Sequence, residues 1–341
     1  MLRLLCIYSL FFLIGCNKKN TPAQTPDPVP GPGGSSRVVN VSTAAALNAA
    51  LLDAKPGDEI IMADGIYKGK FVIGATVNGT ATKPVILRGS RNVILDAETT
   101  TTGYVLHLQA SYWILRGFTL TNGLKGLMVD GARKSVIDSL KVFNIGEEAI
   151  HLRKFSSSNT VQFCEISQVG LKTPDYGEGI YIGSAKNNWS TYTNGQPDFC
   201  DSNRIISNRI GPGITAECID VKEGTTGGLI RGNYFDATGI TGANSGDSWM
   251  DVKGNYYLIE ENTGFNPGGP IFKDGFQVHV AYPGWGNNNE FRNNECTVNA
   301  TGYGFNIQLS GSNGSSTGNK VYVSNTVNGA QSGIANITLS N

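Results

Sequence analysis

A four-residue alternation of apolar and mostly polar side chains recurs along most of this chain. Seven copies occur, at residues 127–130, 150–153, 180–183, 219–222, 250–253, 276–279 and 305–308. The second positions of successive copies are separated by 23 to 39 residues. Alternation with a period of two is typical of a strand. Recurrence at this interval is typical of a solenoid in which loops of variable length join the repeats.

Each copy is followed by two further short strands, for example Ser135–Ile137 and Leu140–Val142. Three strands per coil of roughly 25 residues predict an all-β fold, a right-handed parallel β-helix, because parallel crossovers are right-handed. A helix predicted at 41–54, with Ser42 as its N-cap, would cover the open end of the first coil. The long insertions 184–203 and 238–248 are expected to project from the same side and wall a groove.

The first residues of the chain have the pattern of an export signal. Arg3 precedes the apolar stretch Leu4–Leu13, which is too short for a confident membrane span, and the stretch ends at Leu13–Cys16, which resembles a bacterial lipobox. Residues 1–16 are therefore predicted to be a lipoprotein signal peptide, with a lipid anchor at Cys16 as the one membrane contact. The protein is expected to be exported and to reside at the outer membrane; an ordinary secretory signal is the alternative.

Residues 17–37 are rich in Pro and Gly and predict a tether, which leaves 38–341 as the β-helix domain. The formal net charge of the 341 residues is zero, so there is no global basic field and nucleic acid is not an expected partner. We expect a monomer.

Four cysteines lie downstream of the signal, and no Cys-x-x-Cys pair indicates a zinc site. A disulfide between Cys164 and Cys200 and burial of all four thiols both remain open. The four are Cys164, Cys200, Cys218 and Cys296.

Stacking of the repeats places equivalent side chains of neighbouring strands about 4.8 Å apart, in columns on the outer face. The first column contains Met128, His151, Tyr181, Asp220, Asp251, Gln277 and Asn306. The second column contains Asp130, Arg153, Gly183, Lys222, Lys253, His279 and Gln308. A third position, at the bend before the strand, carries Glu148, Glu178, Glu217, Ser248 and Asp274.

The centre of this face stacks two Asp and two Lys as like-charge neighbours, which is unfavourable unless other charges offset them. A divalent cation on the acidic side and a bound anion on the basic side would do so. The alternative is a salt-bridged surface in which Asp220 pairs with Lys222 or Lys253. The candidate metal ligands are Glu178, Glu217 and Asp220.

Other polar and aromatic side chains on or near this face suit contact with a saccharide. The candidate substrate-binding residues are Arg153, His151, Tyr181, Asp251 and His279. An ordinary surface role for His151, Tyr181 and His279 is the alternative. Aromatic residues in or near the loops, which suit either stacking on sugar rings or ordinary packing, are Trp189, Tyr192, Trp249 and Trp285.

Two segments resemble known enzymes. Residues 57–90, from Gly57-Asp58-Glu59-Ile60 to Lys83-Pro84-Val85, resemble the opening coils of the chondroitinase B and alginate lyase group. Residues 216–222, Ala-Glu-Cys-Ile-Asp-Val-Lys, resemble that group's acidic-x-x-x-x-Lys segment and the corresponding stretch of a β-helical pectate lyase family. The resemblance in architecture covers roughly residues 40–310. It implies that Glu217 is a calcium ligand and that Lys222 is the catalytic base.

The chain departs from that group at two positions. Where the group has a second acidic residue two positions before the first, this chain has Thr215, so Asp220 and Glu178 are the candidates for the missing oxygens. Where the group has an Arg on the next coil, this chain has Lys253. Lys253 is therefore a second candidate catalytic residue.

The function we hypothesise is β-elimination on a uronic-acid polysaccharide, with Ca²⁺ as cofactor. Ca²⁺ would neutralise the substrate carboxylate, Lys222 would remove the proton at C5, and Lys253 or Arg153 would hold the carboxylate. We expect Ca²⁺ and Lys253 to lower the pKa of Lys222 towards neutrality. Three alternatives stay open: a glycoside hydrolase using Asp220 and Asp251, a C5 epimerase, and a non-catalytic surface protein that binds glycans. The identity of the uronate and internal versus terminal cleavage also stay open.

Overall fold

Strands of this protein pair with strands one coil away, and all of these pairs are parallel. The structure, a computed structural model, describes residues 37–341. Three long parallel sheets result, and they confirm the right-handed parallel β-helix with three short strands per coil. The predicted signal peptide (1–16) and all of the tether (17–37) except its last residue lie outside the described residues and remain predictions.

The strands of the three sheets follow one another round each coil. Sheet 1 contains Arg37–Val41, Asp58–Met62, Val85–Arg88, Trp113–Arg116, Val136–Asp138, Thr160–Gln162, Arg204–Ile206, Leu229–Arg231, Leu258–Glu260, Glu290–Arg292 and Lys320–Val321. Sheet 2 contains Phe71–Ile73, Tyr104–Leu108, Lys125–Asp130, Ile150–Arg153, Ile180–Ile182, Ile219–Val221, Met250–Val252, Phe276–Val278, Tyr303–Ile307 and Gly333–Ala335. Sheet 3 contains Gly65–Lys68, Val93–Asp96, Thr119–Thr121, Lys141–Ile145, Glu165–Val169, Arg209–Ile210, Tyr234–Asp236, Thr263–Phe265, Glu295–Ala300 and Thr326–Ala330.

The predicted capping helix is present but shorter than expected, at Ala44–Leu52. Its N-cap is Thr43 and not Ser42, because the Thr43 hydroxyl accepts the N–H of Ala46 at 3.1 Å. Helix residues Leu47 and Leu51 are fully buried against the first coils.

The remaining helical segments belong to loops beside sheet 2. They are the short α-helix Trp189–Tyr192 and the 3-10 turns Pro174–Tyr176, Lys186–Asn188 and Ala243–Ser245. Within residues 37–341, no helix is both long and apolar enough to cross a membrane.

The apolar positions of the repeat point inward and stack on their equivalents in the next coil. Ile150, Ile180 and Ile219 follow one another in register and are fully buried. Further along, Phe276 and Phe305 stack with ring centroids 5.1 Å apart. All four cysteines named above are free and buried, so the predicted alternative of buried thiols holds and a Cys164–Cys200 disulfide is absent. Burial raises the pKa of the Cys164 thiol to about 12, which makes it a poor nucleophile.

Buried asparagines support the turn between sheet 1 and sheet 3. Asn233, Asn262 and Asn294 occupy equivalent turns, and each side-chain oxygen accepts both the backbone N–H and the side-chain amide of the preceding asparagine, at 2.9 to 3.1 Å. The ladder begins at Asn208 and ends at Asn325. Because each amide satisfies groups on two coils, the ladder keeps successive turns in register.

Replacing Asn262 with Ala is expected to lower the free energy of unfolding by about 2–4 kcal/mol, because the buried N–H of Asn233 and the oxygen of Asn294 both lose a partner. Denaturant unfolding followed by circular dichroism measures the change. The matched control is Asn187→Ala, an exposed position, for which we expect a change within about 0.5 kcal/mol. Equal stabilities of the two variants would contradict a supporting role of the ladder.

Candidate active site

The parallel register brings the predicted columns together on the outer face of sheet 2. Tyr181 lies opposite Asp220, and Asp220 lies opposite Asp251, on neighbouring strands. Lys222 and Lys253 each follow two residues after their Asp, so all four side chains point away from the apolar interior. They are nevertheless little exposed, between 2% and 9% for Asp220, Asp251 and Lys222, because they pack on one another and lie beneath loops. An outward orientation therefore does not leave these side chains solvated.

The four charged residues form a chain of alternating sign. Asp220 binds Lys222 Nζ through Oδ2 at 2.5 Å and Lys253 Nζ through Oδ1 at 2.8 Å. Lys253 Nζ also lies 2.6 Å from Asp251 Oδ2, and Asp251 Oδ1 lies 2.8 Å from His279 Nδ1. Each carboxylate thus contacts two potential cations. This agrees with the salt-bridged alternative, in which Asp220 pairs with the neighbouring lysines.

The lysines are held in their charged form by these contacts. Burial by itself favours the neutral amine of Lys222, but the charge of Asp220 and its hydrogen bond outweigh burial and hold the Lys222 pKa well above its usual value. The pKa of Lys253 is raised for the same reasons, with Asp251 as a further partner. The surrounding side chains alone therefore act in the direction opposite to the lowered pKa expected for Lys222.

A cluster of three carboxyl groups lies beside the lysines. Glu178, Glu217 and Asp220 each offer an oxygen within 4.8 Å of the other two. Burial, followed by the charge of Asp220, raises the pKa of Glu217 to about 7. Burial, followed by the charge of Glu148, raises the pKa of Glu178 well above its usual range. At neutral pH the carboxyl groups of Glu178 and Glu217 therefore favour either a proton or a nearby cation.

The predicted metal ligands fit a hard divalent cation in their donor chemistry. Three carboxyl groups supply only oxygen donors, which Ca²⁺ prefers, and the buried Oε2 of Glu178 has no hydrogen-bond partner. Asp220 has both oxygens bound to ammonium groups, so a cation would compete with Lys222 and Lys253 for this ligand.

A cavity of about 270 Å³, here called the lysine cavity, opens above these groups. Its lining residues are Glu217, Asp220, Lys222, Asn244, Ser245, Asp251, Lys253 and His279. His279 is the most exposed of the charged chain, with 41% of its side chain accessible, and its Nδ1 is directed at Asp251. The cavity therefore presents two lysines and one imidazole together with the three carboxyl groups of Glu217, Asp220 and Asp251.

Three of the predicted substrate-binding residues lie in a second cavity of about 190 Å³, here called the histidine cavity. His151, Arg153 and Tyr181 line it, and the rings of His151 and Tyr181 lie 4.4 Å apart. Arg153 is already ion-paired there, because its Nε and Nη2 both donate to Asp130, at 2.6 and 3.2 Å. The structure thus divides the predicted site residues between two cavities.

The two insertions flank sheet 2 from opposite edges, and the expectation that they share one side is wrong. Residues 184–203 leave the carboxyl end of Ile180–Ile182, whereas residues 238–248 enter the amino end of Met250–Val252. Parallel strands have their carboxyl ends at a common edge, so the two insertions lie across the face from each other.

Two of the four loop aromatics are used in packing. Trp189 is 6% exposed and lies 5.3 Å from Tyr282, and Trp249 is fully buried inside the coil beside Phe276. Neither is available to a sugar. Sequence reasoning did not single out Lys125, Tyr176 or Asn244, which also line the cavities. Tyr176 and Asn244 lie in loops that do not follow the repeat, and Lys125 lies just before the repeat unit 127–130. The sequence pattern therefore gave no reason to select them.

No family model matches this chain, and no curated protein matches it. Among solved structures, the chain is similar to an alginate lyase from Paenibacillus sp. str. FPU-7, with 39% identity over 88% of this chain and 99% of that chain and a TM-score of 0.78. A pectate lyase, Pel9A, is 16% identical over 90% of this chain and 78% of that chain, with a TM-score of 0.64. A lacto-N-biosidase from Eubacterium ramulus is 11% identical over 89% of this chain and 68% of that chain, with a TM-score of 0.54. At these low identities, the similarity to the pectate lyase and to the lacto-N-biosidase shows a shared fold only.

Ionisation of Glu217 is expected to make stability depend on pH. Its ordinary pKa of 4.5 rises to about 7 in the folded chain, so between these values the native state binds more protons than the unfolded state. The free energy of unfolding should therefore fall as the pH rises through this window, by up to about 3 kcal/mol, and Glu217→Gln should lack that part of the slope. Denaturant unfolding in chelator from pH 4.5 to 7.5 measures it.

Glu290→Gln on sheet 1 is the control for this measurement, since Glu290 pairs with the exposed Lys320 away from the cluster. It should retain the wild-type slope. A slope of Glu217→Gln equal to that of the wild type would show that Glu217 ionises normally.

Proposed function

The chain belongs to the parallel β-helix polysaccharide lyases, and we propose that it cleaves an alginate-like polyuronate by β-elimination in the lysine cavity. The contacts that support this site are those of Asp220, which binds Lys222 and Lys253 on two successive coils. They hold two ammonium groups at the floor of an open cavity. Three carboxyl groups of the same cavity balance the ammonium groups, so the cavity suits an anionic polysaccharide once a cation occupies the acidic cluster. The proposed substrate class follows from the name of the alginate lyase described above.

The chemistry needs a base, a group that binds the carboxylate, and a way to release the leaving oxygen. In the proposed reaction, Lys222 accepts the C5 proton, the electron pair forms the C4–C5 double bond, and the C4–O4 bond breaks. The departing oxygen takes a proton from water or from a donor in the groove. Lys253 binds the uronate carboxylate, into which charge is delocalised during proton removal.

Lys222 must lose its own proton before it can act as a base, and Asp220 opposes that loss. Lys253 also pairs with Asp220, and its positive charge partly offsets the influence of Asp220 on the pKa of Lys222. Ca²⁺ held by Glu178, Glu217 and Asp220 would supply Lewis-acid polarisation of the substrate carboxylate and would offset the remaining charge of Asp220.

Contacts of the two stacked aspartates argue against a hydrolase that uses Asp220 and Asp251 as its two carboxyl groups; they do not bear on Glu217, whose pKa is raised to about 7. A glycosidase needs one carboxyl group that is protonated and acts as general acid. Lys253 and His279 hold the pKa of Asp251 well below its usual range, despite burial, and both oxygens of Asp220 contact lysines. Neither Asp220 nor Asp251 is suited to donate a proton.

Replacing Lys222 with Ala is expected to lower the rate of formation of the unsaturated, ultraviolet-absorbing product by a factor of roughly 10² to 10⁴, the usual contribution of a general base. The assay is absorbance with alginate, and with pectate, glucuronan and dermatan in parallel. Lys320→Ala, on the exposed edge of sheet 1, is the control and should keep wild-type activity. Undiminished activity of Lys222→Ala would refute the assignment of the base, and saturated products from the wild type would favour hydrolysis.

Chelation tests the metal ligands separately. Calorimetric titration of chelator-treated protein with Ca²⁺ should show one binding site, and Glu178→Gln should weaken it by at least roughly tenfold, because it removes one of three charged ligands. Glu290→Gln again serves as the control. Absence of Ca²⁺ binding to the wild type would exclude the calcium-assisted form of the proposal, whereas lyase activity would be judged by the absorbance assay.

A further inference from the structure

The two edges of the lysine cavity differ in chemistry. At the carboxyl ends of its strands, the cavity is lined by basic side chains, which are Lys222, Lys253 and His279. At the amino ends, it is lined by Glu217 and by two residues of the insertion 238–248, Asn244 and Ser245. Asn244 and Ser245 are exposed, and they are the two lining residues without a titratable side chain. A ligand in this cavity therefore meets cations at one edge and neutral polar groups at the other.

Contacts at both ends of the insertion hold these neutral groups in place. The backbone N–H and the hydroxyl of Thr241 both donate to the carbonyl oxygen of Thr215, at 3.0 and 2.9 Å. At the other end, Asp247 Oδ1 accepts a hydrogen bond at 2.8 Å from Nε2 of Gln277, a residue of sheet 2. Residues 242–246, here called the tip, lie between these two anchors. The position of the tip relative to sheet 2 is therefore fixed.

Stereochemistry at C5 decides which part of a uronate faces the tip. Alginate contains mannuronate and guluronate, which differ only in configuration at C5. This carbon bears the proton to be removed, the carboxylate, C4 and the ring oxygen. In the proposed reaction, Lys222 fixes the position of the proton and Lys253 that of the carboxylate. With two substituents fixed, inversion at C5 exchanges the other two, so the two uronates turn opposite sides of the ring towards a given edge of the cavity.

The side chains of the tip suit ring hydroxyl groups. An amide offers two N–H donors and an acceptor oxygen, and a serine hydroxyl both donates and accepts. The one described side-chain hydrogen bond of Asn244 is long, at 3.4 Å from Nδ2 to the carbonyl oxygen of Asp175. Most of the hydrogen-bonding capacity of this amide is thus available to a ligand. The carboxylate, by contrast, is better matched by the ammonium groups at the opposite edge.

We infer that the tip determines which C5 epimer is cleaved, with Asn244 and Ser245 as the specificity-determining residues. They donate to and accept from the ring hydroxyl groups of the uronate held by the two lysines. The favoured epimer turns C3 and its hydroxyl towards the tip, whereas the other epimer turns the ring oxygen there. This inference rests on the proposed function, because it takes Lys222 and Lys253 as the fixed points of the substrate.

The test compares kcat/KM for polymannuronate and polyguluronate, from the rate of formation of the unsaturated product. The variants are Asn244→Gly and Ser245→Gly, because the two residues have φ of 48° and 68°, a left-handed conformation that Gly adopts without strain. The wild type should prefer one polymer. Each variant should lower kcat/KM for that polymer by roughly three- to tenfold, the scale of one hydrogen bond between uncharged groups, and should change the other little.

Asn299→Gly on sheet 3 is the matched control. Asn299 is exposed, has φ of 44° and donates its side-chain amide to a backbone carbonyl, so it resembles Asn244 in everything except its place. This variant should keep the wild-type ratio of the two kcat/KM values. The ratio is measured on one preparation of each variant, so a fraction of inactive protein cancels from it.

Three results would overturn the inference. The first is a wild type that cleaves both polymers with equal kcat/KM. The second is a wild-type ratio in both tip variants. The third is a loss by the same factor on both polymers, which would assign the tip a structural role only.

Failure of this inference and failure of the proposed function give different results. If Lys222→Ala still forms unsaturated product from both polymers, the assignment of the base fails and the inference, which depends on it, fails with it. If Lys222→Ala is inactive on both polymers while the tip variants keep the wild-type ratio, the reaction stands and the tip does not select the epimer.

Discussion

The hydrogen-bonded register between parallel strands is the constraint on which the rest of this protein depends. It sets Tyr181, Asp220 and Asp251 opposite one another on successive coils, about 4.8 Å apart. The asparagine ladder maintains the same register at the turn between sheets 1 and 3. A slip of one residue would exchange the inner and outer columns, so the apolar core and the charged face are specified together.

The like-charge repulsion on the outer face of sheet 2 is offset because positive and negative side chains alternate along it. Lys253 lies between Asp220 and Asp251, and its ammonium group contacts both. Glu178 and Glu217 are the exception, since burial and neighbouring acids raise the pKa of both carboxyl groups. Clusters of this kind lower stability and are typical of functional sites, where the remaining core supplies the free energy. In this protein, the stacked apolar side chains inside the coils supply that stabilising free energy.

The fold does not choose the reaction. A pectate lyase and a lacto-N-biosidase share the fold with this chain at 16% and 11% identity. Membership of the lyase family rests instead on the alginate lyase, which is 39% identical. Within the lysine cavity, the contacts of Asp251 disfavour a proton donor, and those of Lys222 favour the charged amine. The distinction between the candidate reactions therefore lies in ionisation states, which depend on neighbours from several coils.

The local pattern of the chain was enough to predict the coil architecture, the inward and outward columns and the charged residues on the outer face of sheet 2. Ile219 and Val221 alternate with Asp220 and Lys222, and a period of two leaves only one assignment of faces. Three features appear only in the folded chain: Asp220 contacts both lysines, the insertions lie at opposite edges of sheet 2, and Trp249 packs inside the coil. These features depend on side-chain rotamers and on loops without a repeat, whose partners lie tens of residues away. The local alternation of apolar and polar residues carries no information about them.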